Sequence, residues 1–423
     1  MPSGIDSGSS PVSHNKRTVR AWVLYDFANS IYPAVVTTAV FPLFYVNSVV
    51  GSEGGLGELW WGWAVSLSAL VVAFSSPLLG AIADRSGVRK RFFGLYVAAC
   101  LVAVALMSTL KPGMVLAGFL FFVIANIGFE SANVFYNAYL PDVTTPNRFG
   151  RVSGYGFAAG YLGSALGLVL VLPFARERTE LVWPIVAGFF LLFSIPAFRV
   201  LPRDQPGEMG VGEAARWGLA NLKTIAAEVW RIPELRKFLF AYFFYIDGVL
   251  TIIAMAGVIA GVTFGFSTEG VIVLFLIVQF SALAGALAMA KPTDTLGPKK
   301  VLSGVLLMWV AAGVTAYFIQ TQTAFYVLAV FAGIGLGSVQ SASRAFMASL
   351  IPDGREAAMF GFYALCGKSS SVLGPLLFGW VIVLAGGNQR PGFLVLTALF
   401  VTGLILLQRV KDPKAPAAEG GVA

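Results

Sequence analysis

The chain has 423 residues, 57% of them hydrophobic and only 12% charged, with a mean hydropathy of +0.79 and a formal net charge of +8. That balance excludes an ordinary soluble domain. Cys100 and Cys366 each lie inside an apolar run and the single histidine, His14, lies in the polar N-terminal tail, so a disulfide frame, a metal cluster and an intramembrane histidine relay are excluded as well.

Twelve apolar runs follow one another, at rough spans 21–49, 60–83, 92–110, 114–139, 152–174, 182–201, 237–263, 269–290, 301–320, 324–349, 358–385 and 392–408. Backbone groups in lipid must be satisfied internally, which leaves helices or a closed barrel, and continuous rather than alternating apolar runs exclude the barrel. The first run is also too long for a cleavable signal peptide. The expectation is an all-α polytopic membrane protein. Of its 29 Lys and Arg, 23 fall in segments on one side of the spans and four (Lys111, Arg176, Arg178 and Arg390) on the other, while Arg344 and Lys368 lie within apolar runs. This bias predicts both termini in the cytoplasm of a cell (inner) membrane, and it makes the surplus charge a topology signal rather than a nucleic-acid footprint.

Along the chain, Asp26 and Asn29 open the first helix in Trp22-Val-Leu-Tyr-Asp-Phe-Ala-Asn-Ser30. Asp26 lies about six residues, roughly 9 Å, beyond Arg20, so it reads as an interfacial helix-end carboxylate or as a cytoplasmic gate or proton site. After the second run comes Gly80-Ala-Ile-Ala-Asp84-Arg85-Ser-Gly87-Val-Arg89-Lys90-Arg91, in which Gly87 permits a tight turn, Asp84 can cap or pair across helix ends, and the bases hold the loop inside. The fourth run carries Asn126, Glu130, Asn133 and Asn137 at spacings of four, three and four, one helical face. Glu130 sits roughly 16 Å from the helix end at Pro141, near mid-bilayer, where a carboxylate marks a functional site or a paired interior charge.

The second half echoes the first. Asp294, Gly297, Lys299 and Lys300 repeat the turn about 210 residues on, Pro352-Asp353 repeats Pro141-Asp142, and Gly361, Gly367 and Gly374 repeat Gly154, Gly160 and Gly167. Three matches at nearly one offset predict two six-helix halves. The glycines read as close-packing positions rather than a phosphate loop, since no strand precedes them. The expected organisation is a tail at 1–20, a bundle at 21–201, a linker at 202–236, a second bundle at 237–408 and a tail at 409–423. Apolar residues at three- and four-residue spacing between Ala215 and Val229 predict one short amphipathic helix on the cytoplasmic membrane surface.

Asp247 lies about ten residues into the seventh run, Gln340 and Arg344 lie in the tenth, and Lys368 lies in the eleventh. At the repeat offset Arg344 corresponds to Asn133, so acids of one half and bases of the other share a depth. Interhelical salt bridges without contact to a solute are the plain alternative. Three acids (Asp26, Glu130 and Asp247) against two bases, however, suit a cavity for a zwitterionic or polar solute, with one acid left to carry a proton.

The Gly80–Arg91 turn resembles the signature between helices two and three of the major facilitator superfamily. Trp22–Ser30, Phe135-Tyr-Asn-Ala-Tyr-Leu-Pro141, Gly154–Gly163, Phe238–Gly248, Gly337–Arg344 and Phe360–Lys368 together resemble the autophagy-related vacuolar amino-acid effluxers and their prokaryotic relatives. The resemblance spans almost the whole chain. It implies twelve helices in two pseudo-symmetric bundles, with the first, fourth, seventh and tenth helices lining a central cavity, and amino-acid efflux as the activity. The expected protein is therefore a monomeric secondary transporter, not an enzyme. It would need no cofactor or metal and would have a small solute and the bilayer as partners, with protons as the candidate coupling ion. A drug, sugar-conjugate or lipid permease, and a non-transporting receptor or scaffold, are the alternatives.

Overall fold

The computed structural model describes residues 15–51, 55–175, 177–371 and 373–412; His14, Arg176, Lys414 and most of both tails lie outside them. The described residues form helices and no strands. Among the described residues, eleven helices are long and apolar enough to cross a membrane: Lys16–Val50, Leu56–Ser86, Arg89–Thr109, Val115–Ala138, Pro146–Val171, Thr179–Val200, Pro233–Phe264, Gly270–Thr295, Pro298–Phe318, Gln322–Leu350 and Glu356–Leu384. Gly392–Gln408, at 17 residues, completes the twelve as a shorter apolar helix. They are called the first to twelfth spans below. The seventh span starts four residues before the expected Lys237, which sets Asp247 deeper than the sequence suggested.

Local chemistry explains the irregularities. The first span is π-helical over Pro33–Ala39 and Tyr45–Val50, beside Pro33 and Pro42, whose missing N–H groups let the hydrogen-bond ladder slip. The turns after the second and eighth spans place Gly87 at φ +66° and Gly297 at φ +91°, both in conformations that L side chains rarely adopt. Those two glycines are the repeat positions read from the sequence.

Small residues set how closely the halves approach. A Cβ on Gly80 or Gly361 would run into the backbone of Ala357 or Ser76 respectively, so the second and eleventh spans touch backbone to backbone. Gly154 meets Ala286 and Ala290, and Gly150 meets Thr293 and Asp294, which brings the fifth span against the eighth in the same way. The hydrogen bonds and ion pairs that join the halves run from the level of Glu130 to the end of the molecule that carries the basic turns. That end, the basic face, is closed.

The linker expectation needs correcting. Two helices, Val211–Ala220 and Leu222–Arg231, replace the single one, because Asn221 at the break turns its side-chain amide back to the Trp217 carbonyl. Gly218 packs on Leu78 and Ile82, and Trp217 lies under the Arg85 guanidinium at 3.6 Å, while Leu219, Leu222 and Trp230 face outward.

Candidate functional site

The polar face of the fourth span is satisfied residue by residue. Asn126 donates to Ser68 Oγ at 2.8 Å, which ties the fourth span to the second within one half. Asn133 accepts from Asn29 Nδ2 at 2.9 Å, and Asn137 accepts from Arg344 Nη1 at 3.3 Å. Glu130 pairs with Lys368 of the eleventh span at 2.5 Å. Four residues at helical spacing therefore reach four different partners, two of them in the opposite half.

Arg344 is the most constrained of these groups. Its Nη2 donates to Asp26 Oδ2 at 2.9 Å, its Nε donates to Ser153 Oγ at 2.9 Å, and its guanidinium lies 4.6 Å from the Trp22 ring and 4.2 Å from Phe157. Both partners are buried, Arg344 at 3% exposure and Asp26 at 8%. Asp26 is not a helix-end carboxylate: the first span begins ten residues earlier, at Lys16, and Gly156 of the fifth span packs against the acid. A Cβ on Gly156 would clash with both members of the pair, so this glycine is required for it. Desolvating two charges is tolerable here because hydrogen bonds and aromatic faces surround them.

The Glu130–Lys368 pair differs. Its side chains keep 22% and 31% exposure, so it is only half-buried. Tyr161 Oη donates to Gln340 Oε1 at 2.6 Å, again between halves. Asp247 is fully buried, accepts from the Gly374 N–H at 2.9 Å, and has no cationic partner among the described residues.

A second cluster closes the basic face. Asp84 accepts from the Ala357 and Ala358 N–H groups at 3.1 and 2.8 Å, capping the eleventh span across the halves. Asp294 does the same for the fifth span through the Gly150 N–H at 2.6 Å, and pairs with Arg151 at 3.1 Å. The two repeat aspartates thus perform one task twice. Arg89 gathers Asp84, Asp142 and Glu356 at 3.4, 2.7 and 2.6 Å. Burial pushes the Asp142 carboxyl up to about 6, against the pull of Arg89, and the Glu356 charge adds to the rise. The remaining bases serve other ends. Arg85 pairs with Glu228 of the linker at 3.3 Å, Lys90 donates to the Leu201 carbonyl, Lys299 donates to the Val410 carbonyl, and Lys300 is exposed.

The sequence reading missed Glu356, Ser153, Phe157 and Tyr161. Glu356 carried a usable signal, an acid in the first turn of a span just past the repeated Pro352-Asp353. Ser153, Phe157 and Tyr161 carried none, because a serine or aromatic in an apolar run looks like packing until a neighbouring span supplies the guanidinium or amide.

Twelve helices in two halves that meet through acid–base pairs define a transporter of the major facilitator type, and solved structures share this fold. The human organic anion transporter MFSD10 (TETRAN) superposes with a TM-score of 0.71 at 17% identity, covering 93% of this chain and 99% of that one. The proton:xylose symporter XylE superposes with a TM-score of 0.69 at 13% identity, covering 94% and 96%. In sequence, the uncharacterized MFS-type transporter YxiO of Bacillus subtilis (strain 168) is 33% identical over 409 residues, 93% of this chain and 94% of its own length. Autophagy-related protein 22 of Cryptococcus neoformans is 28% identical over 286 residues, 62% of this chain and 50% of that longer protein. Residues 63–419 match the family model described as vacuole effluxer Atg22 like, and the chain belongs to that family.

Proposed function

We propose that the chain is an alternating-access secondary carrier for a small zwitterionic solute, an amino acid first, in a cell (inner) membrane with both termini cytoplasmic. The observation that carries this reading is the half-buried Glu130–Lys368 pair, which spans the two halves one level above the sealed Asp26–Arg344 pair. A zwitterion matches both members of such a pair: its ammonium meets the Glu130 carboxylate and its carboxylate meets the Lys368 ammonium. An exchange of that kind breaks the bond between the halves only while solute is bound, which couples occupancy to separation of the halves. Asn133, one turn on from Glu130, and the Asn29 bonded to it supply uncharged donors and acceptors for the remainder of the solute.

The excess of Lys and Arg on the basic face favours that face as the cytoplasmic one. The conformer described above is then the one closed to the cytoplasm. The Asp84 and Asp294 caps and the Arg89 cluster hold it closed, and the reverse conformer requires them to part. The test is exchange of a labelled amino-acid panel by proteoliposomes loaded with the same solutes. Saturable exchange with at least one amino acid is expected, and folded protein that exchanges none refutes the solute class.

A further inference from the structure

The three acids inside the spans are not equivalent. Asp26 is paired with Arg344 and Glu130 with Lys368, whereas Asp247 has no cation at all among the described residues. Its Oδ1 accepts the Gly374 N–H at 2.9 Å and, more weakly, the Thr251 hydroxyl at 3.5 Å. Its Oδ2 is fully buried and has no hydrogen-bond partner among the described residues. An ionised carboxylate with one oxygen desolvated and undonated is expensive, and a proton on that oxygen removes the charge.

The surroundings leave the proton as the fitting occupant. The titratable and charged groups on the elements packed against the seventh span are few. Its own helix carries Glu234, Arg236 and Lys237 at the basic end, and Tyr242 and Tyr245 nearer by, with Tyr245 bonded to Ser343. The tenth span brings Arg344, engaged by Asp26, and Tyr326; the eleventh brings Glu356, Tyr363, Cys366 and Lys368, the last engaged by Glu130. The eighth brings Lys291 and Asp294 at the basic face, with Glu269 at its far end, and the linker helix Leu222–Arg231 brings Lys223, Glu228 and Arg231. The segment Leu373–Leu384 and the twelfth span carry none. No cluster of three or more His, Cys, Asp or Glu that could hold a metal ion exists among the described residues.

The position also offers a route to release. The eleventh span is helical over Glu356–Ser370 and again over Leu373–Leu384, and Asp247 caps the second piece through Gly374. A helix N-terminus favours the ionised carboxylate, while the bare Oδ2 favours the neutral acid. A shift of the second piece against the seventh span that brings a donor to Oδ2 tips the balance and frees the proton.

We propose that Asp247 is the proton-binding site of the carrier, occupied through Oδ2 in the conformer closed at the basic face. This rests on the transport reading above, but the site can be tested without any solute. In the purified full chain, the wild-type minus Asp247→Asn infrared difference is expected to show one protonated-carboxyl C=O band, separate from those of Asp142 and the other acids, that disappears as pH rises and persists in a Glu130→Gln background. Asn retains the oxygen that accepts the Gly374 N–H, so the cap survives, and Asp247→Glu is expected to move the band rather than remove it. In proteoliposomes, the ratio of uptake with an inward proton gradient to uptake without one is expected to fall to unity in Asp247→Asn and to rise again in Asp247→Glu. A wild-type minus Asp247→Asn difference with no titrating carboxyl band overturns the proposal. So does loss of the band on adding sodium at fixed pH, which assigns the oxygen to a metal cation. A wild type that exchanges no amino acid, with the band intact, refutes the solute class and leaves the proton site standing.

Discussion

Removing Arg89 measures how much the basic-face cluster contributes to closure. In Arg89→Ala, Asp84, Asp142 and Glu356 lose their common counter-ion, and two of those side chains are nearly buried, at 1% and 9% exposure. Breaking a buried pair by deleting one partner costs about 3–5 kcal/mol. Two factors reduce that here. Asp142 is 35% exposed, and a carboxyl released from Arg89 can take up a proton instead of remaining charged. Asp84 and Asp142 lie in the same half as Arg89 and lose it in both conformers, whereas the Glu356 pair joins the halves and is made only in the closed one; a net cost of about 2 kcal/mol for that pair shifts the closed-to-open ratio about thirtyfold. Spin labels at Arg91 and Lys300, both exposed and in opposite halves, read the ratio by double electron–electron resonance. The wild type is expected to give one short, narrow distance distribution and Arg89→Ala a substantial longer component. An unchanged distribution in the variant would show that backbone packing alone closes the face, and the electrostatic argument would be wrong.

Other outcomes follow from the same geometry. Gly361→Leu forces a side chain into the Ser76 and Pro77 backbone, so the closed distance should be largely lost even with Arg89 intact; a wild-type distribution would contradict the backbone contact. Asp142 has its carboxyl raised from 3.8 to about 6. A raised acid favours the closed conformer while it is protonated, and that contribution is lost as pH rises through about 6. The closed fraction should therefore be larger at pH 5 than at pH 7.5, and Asp142→Asn should reduce the change, leaving the part that belongs to Asp247; a closed fraction that grows with pH would reverse the assignment. Lys368→Met leaves Glu130 uncompensated and removes the carboxylate partner for solute. Exchange should fall at least a hundredfold while monodispersity on size exclusion is kept, and Glu130→Gln should raise the half-saturation concentration; wild-type exchange by Lys368→Met would remove the pair from the solute site.

Much of this fold is legible in the sequence because lipid imposes strict rules. Twelve apolar runs can only be helices, and the Asp84/Asp294 and Gly87/Gly297 echoes give away the duplicated architecture before any contact is known. The site is legible only to the level of its charges. Glu130, Arg344 and Lys368 stand out because they are costly in an apolar run, yet nothing in the chain says that Lys368 goes to Glu130 and Arg344 to Asp26. Pairing depends on which spans adjoin and on where small residues such as Gly156 leave room. Asp26 shows the same limit: counting residues from Arg20 places it near the interface, but Gly156 of the fifth span packs against it. Asp247 shows it in reverse, since its lack of a cationic partner among the described residues is a property of its neighbours and not of its own segment. The linker failed for a local reason, as Asn221 breaks an amphipathic pattern that otherwise reads straight through.

Whether opposite charges on the two halves read a zwitterion is decided by competition against a transported amino acid in proteoliposomes. The competitors are that amino acid unlabelled, its methyl ester and its deaminated acid, which present both charges, the ammonium alone and the carboxylate alone. Strong competition is expected from the zwitterion and at least tenfold weaker competition from each single-charge analogue, with the difference between the zwitterion and the deaminated acid lost in Glu130→Gln. Equal competition by all three would show that Glu130 and Lys368 hold the halves together without reading the solute.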